Sequence, residues 1–528
     1  MVAERGEGMS NARWVAYAAV VVVTVLVMSF APASSAPPAP QVLRGGQVGD
    51  LLSLEPYRFV VQNYVFMEQV FDQVLVNEKN EKLTGEAAES WEMAPDSTSV
   101  KIKLRPNMVT HAGTAVNAEM LRWAITNRMI RPDRGGVMYS FLRPYFKSVE
   151  VIDPLTLVIN FTIPTPQAPD LLSLMPIADP KMFTRDDGTE ALLNQADKLI
   201  GSGPFRLAEY VRNSHVVFER FDRYWERGSP KLNRIEMRIF GDSASMIAAL
   251  EAGEIQYAFD PPYRDAARLA RNRNFTLHVP KTFGIVHVLM VNPRVPKLRD
   301  ARVRQAINYA IDRSAINTAA FEGLGIPTGV CFPQNSLAYT AAHDVGTSAN
   351  VARAKTLLKQ ADATNLDLAI TVPSNRQDMT TAAQILVANL QAVGITARVD
   401  SVEANVWTQR RLSQQFELML SLVAQTNIHP AMMEASFVFF SDNNPFFRDI
   451  PPDQRYLDYQ VAFRRGLTAK NATEARAAWS SASKALVTGA WVDCTVAAPF
   501  LHLTSAKVKG LSWTEADKPV FKNVTVER

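Results

Sequence analysis

The chain has 528 residues, of which 47% are apolar and 20% charged, with a formal net charge of +4. This is globular composition; it excludes a long disordered tail, and the length calls for several domains or one multi-lobed body. Arg264, Arg268, Arg271 and Arg273 alternate with acids and apolar residues, which describes a solvated helix face and not a nucleic-acid patch.

At the N-terminus, Arg5 and Arg13 precede the apolar run "WVAYAAVVVVTVLVMSF" (14–30), which is followed by "APASSAPPAP". Charge, apolar run and small residues follow one another as in a secretory signal peptide. The run is shorter than the roughly 20 residues of a spanning helix. Ala31 and Ala33 form an A-x-A site, so residues 1–33 are expected to be removed. No cysteine stands near that site, so the expected product is a free periplasmic protein without a lipid anchor. The two cysteines, Cys331 and Cys494, either pair in an oxidising compartment or remain two structural thiols; their separation does not decide.

Along the mature body, "VFMEQVFDQVLV" (65–76) has near-helical apolar spacing. "VKIKLRP" (100–106) alternates as a half-buried strand, and "NAEMLRWAITN" (117–127) reads as a helix capped by Asn117. "TLVINF" (156–161) is a strand. "GSGPFRLAEYV" (201–211) and "SHVVFERF" (214–221) read as a hairpin, followed by the strand "KLNRIEMRIF" (231–240). "DSASMIAALEAGEI" (242–255) is a helix capped by Asp242 or Ser243. "DARVRQAINYAIDR" (300–313) carries one apolar stripe behind Asp300. "MTTAAQILVANLQAVGITARVD" (379–400) is a helix closed by Gly394 and then a strand, the pattern of an α/β layer.

No catalytic constellation emerges. H-E-x-x-H, G-x-S-x-G and the P-loop pattern are absent, and "GLGIPTG" (323–329) has the wrong spacing for a dinucleotide loop. None of the seven histidines stands four residues from another histidine or a cysteine, so no local metal pair exists. His111 reads as a turn residue at a strand end, and His215 and His287 as half-exposed strand residues. The chain is not expected to be an enzyme, and no cofactor is expected. "SLVAQTNIHP" (421–430) stands apart: it follows an apolar β-like run, has small polar groups and no charge but His429, and suits a pocket wall.

Several segments, in order, resemble the large substrate-binding proteins of bacterial ABC importers, the family of oligopeptide-, dipeptide- and nickel-binding proteins. They are "SLEP" (53–56), "LTGEAAESWEMAPDSTSVKIKLRPNMVTHAG" (83–113), "GSGPFRLAEY" with "FERFDRYW" (218–225), and "RVRQAINYAIDR" (302–313). The resemblance implies a two-lobed α/β periplasmic binding protein, class II-like, with three subdomains, a hinge and an interlobe cleft. Expected boundaries are 41–82, 202–290 and 500–528 for the main subdomain of lobe 1, 83–201 for its accessory subdomain, and 291–499 for lobe 2. The lobes are expected to close over a solute by hinge motion, and the closed form to dock, as a monomer, on an inner-membrane permease. No nucleic-acid partner is expected.

Peptide-binding members carry "G-W-x-A-D-Y-x-x-P", whose aspartate pairs with the ligand ammonium. Anchored on Pro430, the alignment puts Val423 at the Trp position, Thr426 at the Asp position and Asn427 at the Tyr position, with Ala424, Gln425 and His429 alongside. A buried ammonium facing a hydroxyl lacks a counter-charge, which favours a neutral or anionic ligand unless another carboxylate substitutes. Arg411 matches an arginine that reaches the ligand carboxylate; Arg376 and Trp407 fall near the same cleft. On lobe 1, "YRFVVQN" (57–63) matches the segment whose backbone meets the ligand, which nominates Phe59, Val60, Gln62 and Asn63. A peptide or peptide-like solute is the first expectation. A sugar, an opine-like conjugate or a metal chelate on the same body is the alternative, followed by a periplasmic sensor or chaperone.

Overall fold

The computed structural model describes residues 40–57, 63–77, 82–185, 187–190, 198–280, 285–334, 336–424, 429–430, 453–469, 471–514 and 517–527. The expected signal segment lies outside them. No helix among the described residues is long and apolar enough to cross a membrane.

Lobe 1 is built on a seven-stranded mixed sheet. Its order is Phe275–His278, His502–Ser505, Tyr257–Phe259, Val42–Val48, Arg234–Phe240, His215–Arg220 and Phe205–Val211. Val42–Val48 runs parallel to both neighbours, whereas the last two strands form the expected antiparallel hairpin. The late strand His502–Ser505 enters antiparallel between two much earlier ones, so the chain returns to this lobe after building the other. A four-stranded antiparallel sheet, Ala88–Met93, Ser99–Leu104, Thr156–Phe161 and Phe146–Asp153, forms the accessory layer.

Lobe 2 holds a six-stranded sheet ordered Ile326–Pro327, Val492–Ala497, Ile285–Val291, Leu418–Ala424, Asp367–Pro373 and Thr396–Val402. Ile285–Val291 is buried along its whole length, as its continuous apolar run requires of a central strand covered on both faces. Because that strand already belongs to this sheet, the chain enters lobe 2 upstream of the 290/291 boundary expected from sequence. The chain therefore crosses between the sheets after His278 and again between Ala497 and His502.

Local signals explain most elements. Asn117, Asp242 and Asp300 each accept a backbone N–H at a helix start, and Gly394, at φ +92°, ends its helix. The glycines of "GSGP" permit a close approach: a Cβ on Gly201 would lie 2.0 Å from the Val70 carbonyl oxygen, and one on Gly203 2.6 Å from its carbon.

Two expected helices are shorter than their apolar spacing suggested. The first, Tyr64–Val70, stops where Phe71 turns extended. Beyond it, the buried Asp72 carboxylate accepts the hydroxyls of Ser202 and Tyr224, and Leu75–Val76 joins a strand pair. The second, Ala301–Ala310, ends because Asp312 caps a new helix, Arg313–Phe321, through the Ala315 amide. The helix from Ala118 passes into a π-helical turn, Ile125–Met129, that carries Arg128 inward. Cys331 and Cys494 form a disulfide with Cα atoms 5.3 Å apart, tying a lobe 2 loop to Val492–Ala497.

Candidate functional site

The helix Ala404–Ser413 lies beside the strand that leads into "QTNIHP". Trp407 and Arg411 are four residues apart and therefore share a face. The Trp407 indole donates to the Leu420 carbonyl at 3.2 Å, which pins the ring to strand Leu418–Ala424. The Arg411 guanidinium carbon sits 5.3 Å from the centroid of that ring, a cation–π distance. Burial lowers its pKa. Arg410 is paired with Asp400 at 2.5 Å. Arg411 meets no carboxylate among the described residues, and its Nε is buried without a hydrogen-bond partner. Such a group is costly to leave unpaired, and it suits an incoming anion.

Arg376 has a different environment. It makes a bidentate pair with Asp378, at 2.9 and 2.6 Å, at the start of helix Gln377–Ala392. Its charge is therefore largely committed within its own helix terminus. Asp378 also faces His287 Nε2 at 3.8 Å. His287 is buried, not half-exposed as expected from sequence, because strand Ile285–Val291 is central; burial pushes its pKa down to about 4.

The other nominated residues have these surroundings. Val423 is buried opposite Val286, and Ala424 pairs with Ile285 at the end of its strand. His429 meets the Trp479 ring edge-on at 5.8 Å, and burial pushes its pKa down to about 4. The Asn63 amide donates to the Ser53 carbonyl at 2.7 Å, while its Oδ1 is buried without a partner among the described residues. Phe59, Val60, Gln62, Gln425, Thr426 and Asn427 lie outside the described residues. Among the described residues, no group of three or more His, Cys, Asp or Glu could hold a metal ion.

Sequence reasoning missed a buried ion pair just upstream of the lobe 1 segment. Arg128 Nη2 donates to Glu55 Oε2 at 2.7 Å, and both side chains are fully buried. The guanidinium carbon also lies 4.1 Å from the centroid of Phe183, a ring stacked with Tyr57 and Trp123. Burial pushes Glu55 up to about 7 against the pull of Arg128. "SLEP" had signalled the segment but not its partner 73 residues away.

Residues 82–445 match the model of the bacterial extracellular solute-binding proteins, family 5. Glutathione-binding protein GsiB of Salmonella typhi is 29% identical over 335 residues, which cover 62% of this chain and 62% of that protein. The chain thus spans less than two thirds of that relative. Two solved structures share the fold. The periplasmic binding protein AgaA of A. tumefaciens R10, in complex with agropinic acid, superposes with a TM-score of 0.76 at 20% identity, covering 92% of this chain and 99% of that one. DppA of Helicobacter pylori, in complex with the peptide STSA, gives 0.76 at 18% identity, covering 92% and 98%. The chain belongs to the family 5 bacterial extracellular solute-binding proteins, and its fold is their two-lobed α/β body.

Proposed function

We propose that this chain is the solute-capturing component of an ABC importer, which takes up a peptide or peptide-like solute between its lobes and delivers it to a membrane permease. It acts by binding and not by catalysis, as a monomer, after export through the segment 1–33. One observation carries the ligand class: the half-buried Arg411 guanidinium lies over Trp407 with no carboxylate beside it among the described residues. A bound carboxylate supplies the missing counter-charge through charge-assisted hydrogen bonds.

The same observation favours a second reading, a non-peptide acid such as an opine-like conjugate. In the alignment anchored on Pro430, Thr426 falls at the position that the family resemblance gives to the aspartate pairing with an α-ammonium. A solute with an anionic end and no free ammonium fits both residues.

Native mass spectrometry of the purified chain tests the reading by weighing the solute that unfolding releases. Peptide masses support the first form, and a single non-peptide acid supports the second. A solute without any acidic group contradicts both.

A further inference from the structure

We propose that Tyr263 acts as a pawl between the lobes: its hydroxyl grips the residue at which the chain crosses back from lobe 2 to lobe 1, its ring is seated against lobe 2, and together they restrict rotation of the lobes about that crossing. The proposal rests on the two-lobed body and requires no solute, so its failure leaves the proposed function untouched.

The second crossing is short and buried. Ala498 lies in the core of lobe 2, and its amide donates to the Ile285 carbonyl at 3.0 Å. Phe500 lies in the core of lobe 1, edge-on to Tyr64 at 5.8 Å, and Leu501 accepts the Asp260 amide at 2.9 Å. Pro499 is the one residue between Ala498 and Phe500. Its ring holds φ near −65°, which leaves few backbone torsions at the crossing to take up a change of lobe orientation. The Pro499 carbonyl accepts the Tyr263 hydroxyl at 2.7 Å.

Tyr263 itself comes from lobe 1. It opens helix Tyr263–Leu269 directly after Pro261 and Pro262, whose rings stiffen the backbone that carries it. Its half-buried ring nevertheless packs against the core of lobe 2. There it meets Phe321 edge-on, with centroids 5.1 Å apart and planes at 86°. Phe321 is fully buried at the end of helix Arg313–Phe321, and its ring stands 4.6 Å from that of His287 on the central strand. Tyr263 therefore touches lobe 2 and the crossing while belonging to lobe 1.

Other contacts join the lobes at this end. Ile285 of the lobe 2 central strand belongs to the lobe 1 core, and Leu422 on the neighbouring strand packs against both cores. Such apolar burial is non-directional and tolerates rotation. A hydrogen bond and an edge-on ring pair do not, because both weaken as their angles change. Turning the lobes about Pro499 either shifts the Tyr263 ring against Phe321 or draws its hydroxyl off the carbonyl. The apolar contacts hold the lobes together, and Tyr263 fixes the angle between them. The hydroxyl bond and the ring pair each shift a population ratio by about 2- to 10-fold.

Pulsed dipolar spectroscopy of the full chain without solute tests this, with nitroxides on Arg273→Cys of lobe 1 and Lys355→Cys of lobe 2, both exposed positions. The labelled parent is expected to give one narrow distance distribution. Tyr263→Phe keeps the ring and removes only the hydroxyl. It is expected to broaden the distribution and to raise the share of other orientations by about 2- to 10-fold. Phe321→Leu keeps the burial, removes the ring partner and is expected to act in the same direction. Tyr210→Phe is the control: it removes a hydroxyl bond inside lobe 1, to Asp50 at 3.0 Å, and is expected to leave the distribution as in the parent. A Tyr263→Phe distribution that superimposes on the parent overturns the proposal. A parent that already spreads over widely separated distances overturns it, and so does equal broadening by Tyr210→Phe, which would assign the effect to general loosening of the fold.

Discussion

The Arg411 guanidinium lies over the Trp407 ring at 5.3 Å, while its neighbour Arg410 is tied to Asp400 at 2.5 Å. Two adjacent arginines on one helix thus have opposite fates: one completes a surface ion pair, and the other is held half-buried by an aromatic ring and left without a counter-charge among the described residues. The indole is itself fixed by its hydrogen bond to Leu420. The arrangement holds a cation in place before any ligand arrives, which reduces the ordering cost of binding.

Arg411→Ala is expected to weaken solute binding by about 10- to 100-fold, the worth of a charge-assisted hydrogen bond or two. Its folding stability should stay within about 1 kcal/mol of the wild type, since no carboxylate among the described residues is stranded by its loss. Arg411→Lys keeps the charge but loses the planar fork, and should fall between the two. Calorimetric titration with the solute recovered from the purified chain, together with urea unfolding, separates the two effects.

The Glu55–Arg128 pair is fully buried. Arg128→Met leaves a carboxyl without its partner in the core and is expected to cost about 3–5 kcal/mol in urea unfolding. Adding Glu55→Leu removes the stranded group and should recover much of that loss. A double variant no more stable than the single one would show that the pair contributes through packing and not through charge.

Asp493 is buried on strand Val492–Ala497, and both its carboxylate oxygens lack hydrogen-bond partners among the described residues. Burial pushes its pKa up to about 8, against Arg313 and Arg304. The folded chain therefore holds this proton more tightly than the unfolded one. The group lowers stability progressively as pH rises from about 4 through 8, and its full cost is present above that. Asp493→Asn should accordingly stabilise the protein at pH 8.5 relative to the wild type, and by more than at pH 5. Thermal unfolding at the two pH values reads this directly; an effect independent of pH would mean that Asp493 keeps an ordinary pKa.

The Cys331–Cys494 disulfide closes a span of 163 residues within lobe 2. Replacing both cysteines by alanine should cost about 2–5 kcal/mol of stability. The loss should show as a lower unfolding midpoint, equal to that of the wild type measured in a thiol reductant. A double variant as stable as the oxidised wild type would contradict a stabilising role.

Elements governed by local chemistry were legible in the sequence. Asn117, Asp242 and Asp300 cap the helices assigned to them, and the runs at 100–106 and 156–161 hold the strands Ser99–Leu104 and Thr156–Phe161. The order of the family segments carried the two-lobed fold. Periodicity failed at residues 71–76 and 311–313, where a buried aspartate or a new cap redirects the chain while the same apolar residues remain buried. His287 was misread because its burial depends on which strands flank it, and those come from residues more than a hundred positions away. Glu55 and Arg128 are also brought together only by topology. At the site, Arg411 and Trp407 could be nominated from their motif; that Arg376 is committed to Asp378 required geometry, although the two stand only two residues apart.

The proposed solute site around Arg411 is selective for an acidic group. The most direct test compares the solute recovered from the protein with the same solute after its carboxylates are converted to methyl esters, in a competition read by native mass spectrometry. The acid is expected to displace the ester and to bind at least about 10-fold more tightly, with the difference largely lost in Arg411→Ala. Equal binding of acid and ester, or a difference that persists unchanged in Arg411→Ala, would contradict it.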